Sequence, residues 1–465
     1  MKRNFLMAAL FALTLQTAQA QEQAANEAVT EPKAYIYRVS LTDKDGSESL
    51  SKADRFLSEK SLERRRRQRL PLTESDRPVS PKYIKKIHKL APVVGQSRWL
   101  NTVLVRVTDT TVIDRIAELK FVSNTHRVWT QPDRSEAMPE RHNYTTTFAA
   151  KDTIADNRYG KGFRQISVLG GDSLHAAGFR GQGMTIAVID GGFRNADVIP
   201  SIKNINIIGT HDFVCPPRPD IYLDTDHGTG VLSCMGLNLP NVFIGTAPEA
   251  SFWLLRSEDG RTEQEIEEDY WAMAAEFADS VGVDVINTSL GYNKFDDKVT
   301  SHRYRDLDGK TAFISRAANL LADKGVVVVC SAGNSGDESW KLITPPADAD
   351  NVITVGALNR QLENANFSSL GPSFDGRVKP DIMAIGNPSY LMYGDGEIIR
   401  ANGTSFSSPI ACGMVACLWQ ALPHLTAREL IDVVRKAGDR YQYPDNVFGY
   451  GLPNFWHALL NNTTR

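Results

Sequence analysis

The chain has 465 residues, 42% of them hydrophobic and 23% charged, with 52 Lys and Arg against 55 Asp and Glu for a formal net charge of −3. A balance so near neutral carries no electrostatic signature of a nucleic-acid or membrane-surface binder. The length allows two or three domains, each with a sizeable core.

The chain opens as a secretory signal does. Lys2 and Arg3 precede an apolar run from Phe5 to Leu15, and Ala18-Gln19-Ala20 offers a small-x-small cleavage site. That run falls well short of the roughly 20 residues a membrane span needs, so cleavage after Ala20 is expected, with no membrane anchor and a secreted or periplasmic destination. The five cysteines (Cys215, Cys234, Cys330, Cys412 and Cys417) all fall from position 215 onward. An odd, sparse set is not a disulfide framework, although Cys215 and Cys234 could pair. The other three sit in apolar stretches and read as small buried hydrophobes.

A polar linker (21–33) leads into a module spanning 34–135. Its strand-like "AYIYRVSL" precedes a charged helical stretch, Ser51 to Arg69, and a second helix around Lys82 to Leu90. The strand "WLNTVLVRV", the helix "TVIDRIAEL" and the strand "FVSNTHRVW" complete it. This alternation suits a small α+β unit. Within it "LERRRRQRL" (62–70) invites reading as a processing site, but its helical pattern predicts a solvated basic helix face. Residues 136–157 are polar and aperiodic, as a flexible or cleavable linker would be.

From 158 to 465 the pattern changes. "MTIAVID", "FWLLRS", "DVINTSL", "GVVVVCSAG" and "VITVGAL" are short β-branched runs bounded by Gly, Asp or Asn, separated by helical stretches such as Thr262 to Ser280 and Tyr304 to Lys324. Strands apolar throughout imply an α/β fold, a parallel sheet with helices on both faces. Sites in such sheets form at the carboxyl ends of the strands, where Asp190, Ser289 and Asn334 fall.

Each chemistry-bearing residue has a bland reading when taken alone. Asp190, ending "TIAVID" before two glycines, could be a loop cap. A dinucleotide fingerprint fits poorly, because Gly181-x-Gly183 precedes the strand. His227, between an acidic run and the Gly-Thr-Gly of a small-residue helix, could be an exposed loop histidine. At a helix start the macrodipole favours its neutral form, which a general base needs. Asn334 could belong to an ordinary turn, yet its amide can point at a developing oxyanion. In "NGTSFSSPIACG" (402–413) Ser405 sits at a helix start with its N–H free to face an anion. Ser407 and Ser408, deeper in the turn, are expected to satisfy local backbone groups, and Pro409 is tolerable only near the first turn.

Together the order Asp190, His227, Asn334, Ser405 resembles the subtilisin family of serine proteases. The resemblance rests on "VIDGG", "HGTGVLS", "AGN" and "GTSFSSP", and it spans about Tyr159 to Leu460. It implies that Ser405 is the nucleophile, His227 the base, Asp190 its orienter and Asn334 an oxyanion donor. "VINTSLG" resembles the segment lining the specificity pocket, which makes Ser289, Leu290 and Gly291 substrate-binding residues. "FWLLRSEDG" is expected to supply a second substrate-pairing strand with Leu255, Arg256 and Ser257 at its edge, and Glu258 and Asp259 add charge beside it. "GYGLPNFWHAL" resembles the closing helix. By position, the N-terminal module resembles the family's propeptide, which implies an inhibitor and folding aid removed by the enzyme itself.

The expected function is therefore a secreted endopeptidase acting on protein or peptide substrates, with its own N-terminal domain as inhibitor and no nucleic-acid partner. The alternative is a catalytically silent or permanently inhibited binding protein on the same fold. Phe406 and Ser407 stand where the family usually has Met and Ala. No stretch clearly matches its high-affinity calcium loop, so no cofactor is expected and a structural calcium ion is left without support. Activity is expected to fall as His227 protonates near the reference value of about 6.5.

Overall fold

The computed structural model describes residues 32–132, 157–214 and 220–463. The signal-like segment, most of both linkers and Cys215 lie outside the described residues.

The N-terminal module is an antiparallel sheet in the order β2-β3-β1-β4, built from β1 (Tyr35–Leu41), β2 (Val93–Ser97), β3 (Thr102–Val107) and β4 (Val122–Thr130). Helices Pro81–His88 and Thr111–Ala117 pack against one face, burying Val39, Val103, Val105, Ile87 and Ile116. The other face is partly covered. Ile36, Leu104 and Val128 pack with Ile266, Tyr270 and Met273 of the following domain. The expected helix over 51–69 is divided into a short 3₁₀ turn, Leu50–Arg55, and a helix, Glu59–Gln68. Ser58 caps the latter through its side chain, accepting from Ser61 N at 3.2 Å.

That second helix is not a solvated basic face. Arg66 and Arg67 are exposed, but Arg64 and Arg65 are buried, with only 3% and 2% of their surface exposed. Both guanidinium groups bond the carboxylate of Asp279. Arg64 also donates to Val283 O at 2.6 Å, and Arg65 to Asp76 at 3.0 Å. Lys324 of the next domain reaches the same Asp76 at 3.1 Å. A buried arginine is tolerable when most of its donors are met; here the partners come from both domains, and Arg65 Nε alone of that side chain's nitrogens has none.

The large domain carries a seven-stranded, wholly parallel sheet in the order β13-β12-β11-β10-β5-β9-β6. In chain order its strands are β5 (Thr185–Asp190), β6 (Asn206–Asp212), β9 (Ser251–Arg256), β10 (Val285–Thr288), β11 (Val327–Ser331), β12 (Val352–Asn359) and β13 (Ile382–Asn387). Two small ribbons are added, one of β7 (Asn238–Leu239) with β8 (Phe243–Ile244), the other of β14 (Ser389–Met392) with β15 (Ile398–Ala401).

Alternation along β5 divides the interior, since successive side chains point to opposite faces. Ile186 and Val188 join a core under helices His227–Gly236, Thr404–Ala421, Ala427–Lys436 and Phe455–Thr463. Ala187 and Ile189 join the opposite core, beneath helices Ile266–Val281 and Phe313–Asp323. The N-terminal module sits on this second helical layer. Cys234, Cys330, Cys412 and Cys417 are free and buried. Among the described residues no helix is long and apolar enough to cross a membrane.

Candidate active site

Asp190 ends β5, level with Arg256 at the end of the neighbouring β9 and one residue beyond the last pair with β10. It is fully buried, and Gly191 N donates to its Oδ1 at 2.9 Å. His227 is the first residue of its helix. Its Nδ1 lies 2.8 Å and 3.0 Å from the two oxygens of Asp190. A carboxylate only accepts, so Nδ1 carries the proton and Nε2 is the free face of the ring. Gly228 lets this turn close, because a Cβ there would stand 2.4 Å from Gly192 O.

Asn334 follows β11 after Gly333, whose φ of +105° lies in the region that favours glycine. Its Oδ1 accepts from Thr404 N and Thr404 Oγ1, both at 2.9 Å. That leaves the amide Nδ2 as the group turned to the cavity. Thr404 was not singled out in the sequence, although it sits beside the serine motif, and it fixes which way Asn334 faces.

Ser405 is the second residue of helix Thr404–Ala421. Its hydroxyl points to Ser289 O at 3.4 Å and makes no hydrogen bond to His227. The His227 ring stands 5.8 Å, centroid to centroid, from Phe406. Ser407 donates to Thr404 O at 3.1 Å, as expected, whereas Ser408 reaches across to Asn287 Oδ1 at 2.8 Å. Pro409 lies in the second turn, one turn deeper than expected. Having no N–H, it leaves the carbonyl of Ser405 without its helical donor. Ser289 Oγ supplies one at 2.8 Å, so the start of the serine helix is tied to the segment after β10.

Asp190, His227, Asn334, Ser405 and Ser289–Gly291 all line one open cavity of about 590 Å³. Leu255, Arg256 and Ser257 do not line it, which corrects the expected substrate edge. β9 lies between β5 and β6 and is paired on both sides. Leu255 therefore points into the core, and Arg256 is buried, bonding Gly191 O at 3.0 Å and Asp212 at 3.1 Å. Ser257 N is taken by Asp190 O at 3.0 Å. The same segment reaches the cavity only at Glu258 and Gly260, followed by Glu263.

The electrostatics depart from the helix-dipole expectation. Burial lowers the affinity of His227 for a proton, but the Asp190 carboxylate beside it outweighs that and holds the imidazole up to about 9. Among the described residues no group of three or more His, Cys, Asp or Glu side chains is arranged to hold a metal ion.

A family model described as the subtilase family matches residues 181–451, and one described as the peptidase S8 propeptide domain of Bacteroidota matches 36–144. The chain is 30% identical over 301 residues to subtilisin DY of Bacillus licheniformis, covering 62% of this chain and 95% of that protein. It is 31% identical over 304 residues to the serine protease AprX of Bacillus subtilis, covering 59% and 65%. Among solved structures it is similar to the epidermin leader peptide processing serine protease of Staphylococcus aureus. That match has a TM-score of 0.62 at 18% identity and covers 93% of this chain and 99% of the other. MycP1 of the ESX-1 type VII secretion system aligns with a TM-score of 0.52 at 24% identity, over 70% and 93%. At these identities the two structures bear on the fold alone.

Proposed function

This chain belongs to the subtilase family and is a subtilisin-like serine peptidase, and from that premise we propose an endopeptidase that works by an Asp190–His227–Ser405 triad and is made as a self-processing zymogen. One observation carries the reading. Residues from the ends of three strands and the starts of two helices meet in one cavity, with His227 Nδ1 held 2.8 Å from Asp190.

In this mechanism Ser405 Oγ turns from Ser289 O toward Nε2 of His227, a contact that tightens when substrate binds. His227 takes the hydroxyl proton as Oγ attacks the scissile carbonyl. Asp190 keeps the proton on Nδ1 and stabilises the imidazolium. The tetrahedral oxyanion is received by Asn334 Nδ2 and the N–H of Ser405, a first-turn helix donor with no helical acceptor. His227 then protonates the leaving amine. Water, activated by the same imidazole, releases the acyl group from Ser405.

The N-terminal module, matched by the propeptide model, acts as an inhibitor until it is cut away. The segment 1–20 directs the chain out of the cytoplasm, and the linker 136–157 provides the cut. A fluorophosphonate probe tests the assignment. The processed protein should carry the label on the peptide containing Ser405, and an unlabelled protein would return it to the class of silent binding proteins.

Two further outcomes follow from the geometry. Asn334→Ala removes the side-chain oxyanion donor and should lower kcat about 10²–10³-fold with little change in KM, the range seen for the equivalent donor in subtilisin. An unchanged kcat in steady-state assays would remove Asn334 from the mechanism. The second concerns pH. Because Asp190 raises the His227 pKa to about 9, the neutral base gains population only as pH climbs through that value. The value of kcat/KM should therefore rise into the alkaline range. A profile centred on the ordinary histidine value of about 6.5 would mean that Asp190 does not hold the ring in the free enzyme.

A further inference from the structure

The cavity is acidic, and its charges are unevenly neutralised. Asp190 is occupied by His227, and Asp224 by Arg256. Glu258 and Glu263, which also line the cavity, are in no ion pair among the described residues. Glu258 Oε1 accepts from the hydroxyl of Tyr292 at 2.9 Å. Its other oxygen lies beside Gly191, where a Cβ would approach it to 3.1 Å. Behind them Glu267 is 1% exposed, with Oε1 accepting from Asp259 N at 3.0 Å and Oε2 without a hydrogen-bond partner.

Arg194 also lines the cavity, with its Nε donating to Asp224 O at 2.6 Å. Carboxyl groups gathered without an ion pair of their own disfavour their own ionisation. Burial first, then the Asp190 and Glu263 charges, push Glu258 up to about 8. Burial and Asp296 push Glu263 up to about 7. A cation delivered into this corner would relieve both.

The register of a bound peptide says which side chain arrives there. A substrate strand lying along Ser289–Gly291 presents alternate side chains to opposite sides. On that path the side chain of the acylated residue would fall toward Gly333, Ser335 and Thr344, which line the cavity beside Gly291. The residue before it then points the other way, toward His227 and Glu258.

We propose that Glu258, supported by Glu263, selects lysine or arginine at the residue immediately amino-terminal to the one whose carbonyl is attacked. The proposal rests on the peptidase reading given above and adds a substrate class to it. The ion pair formed is partly desolvated, and its partner is a carboxylate already held in place by Tyr292, so it discriminates charge and not only shape.

The test uses processed enzyme and a set of fluorogenic peptides that differ only at this position, carrying Arg, Lys, Gln, Leu or Glu. Wild type should cleave the Arg and Lys peptides with kcat/KM at least about tenfold above Gln, and Glu should be poorest. Raising salt should compress the Arg-to-Gln ratio, as a screened charge contact requires. Glu258→Gln should bring that ratio close to one, and Glu258→Lys should favour the Glu peptide. A wild-type ratio within about twofold, or a ratio that persists in an active Glu258→Gln enzyme, overturns the proposal. If the variants fail to fold, the wild-type ratio and its salt dependence decide alone. Failure to cleave any peptide, with no fluorophosphonate label, would instead overturn the peptidase reading itself.

Discussion

Ser405→Ala should lower kcat on the order of 10⁶-fold, the loss measured for the nucleophile of the same triad in subtilisin. The size of the effect follows from the unit in which Ser405 works. His227 and Asp190 remain paired at 2.8 Å, but without Oγ they have no proton to move and no bond to make. What survives is the residual acceleration of roughly 10³–10⁴ over water that binding and oxyanion donors provide. The same variant, expressed and purified alone, should keep its N-terminal module covalently attached while wild type sheds it. Gel analysis reads this directly. Equal processing of both chains would assign the cut to an outside protease and leave the kinetic prediction standing.

Asp279→Ala should destabilise the unprocessed protein by about 3–5 kcal/mol, the cost of leaving buried charge uncompensated. Asp279 accepts from Arg64, from Arg65 at 2.9 Å and from Arg98 at 3.4 Å. All three donors come from the N-terminal module, and the side chains of Arg64 and Arg65 are only 2% and 3% exposed. Removing the carboxylate sets two guanidinium groups close together with Asp76 as the remaining anion. In an uncut Ser405→Ala background, the urea midpoint should fall and the module should dissociate more readily. In the processed domain those cations have left with the module, so the same substitution should be neutral or stabilising. A similar loss in both forms would show that Asp279 serves the large domain's own packing and not the interface.

Much of this architecture was legible in the sequence, and the parts that were not share a physical reason. β5, β10 and β11 are buried along their whole length, so their apolar runs stand out. β6 reads "NIIGTHD", with four of its seven residues exposed at the edge of the sheet, and offers no such run. β13 is a short six-residue run between prolines. Which strands are interior is a property of the sheet order. The end of "FWLLRS" is plainly a strand end, but nothing local tells that β6 pairs its other edge or that the face carrying Leu255 is covered by a helix. The burial of Arg64 and Arg65 depends on Asp279, a residue more than two hundred positions away. The proton affinity of His227 is hidden for the same reason, because its helix start is local and Asp190 is not. The motifs themselves were legible because each joins a strand end or helix start to one polar side chain within a few residues.

The order of the seven strands carries a consequence in time. β5 (Thr185–Asp190) closes against β10 (Val285–Thr288) and β9, and β10 against β11. Asp190 and Ser289 therefore cannot approach their partners until long stretches of chain have been gathered, and Ser405 comes later still. Parallel pairings of this kind form slowly, because loop closure precedes any favourable contact. Nascent or half-folded molecules therefore hold all the ingredients of a peptidase without a working one. The site is thus a late product of folding, assembled only when the sheet that joins its distant segments is complete.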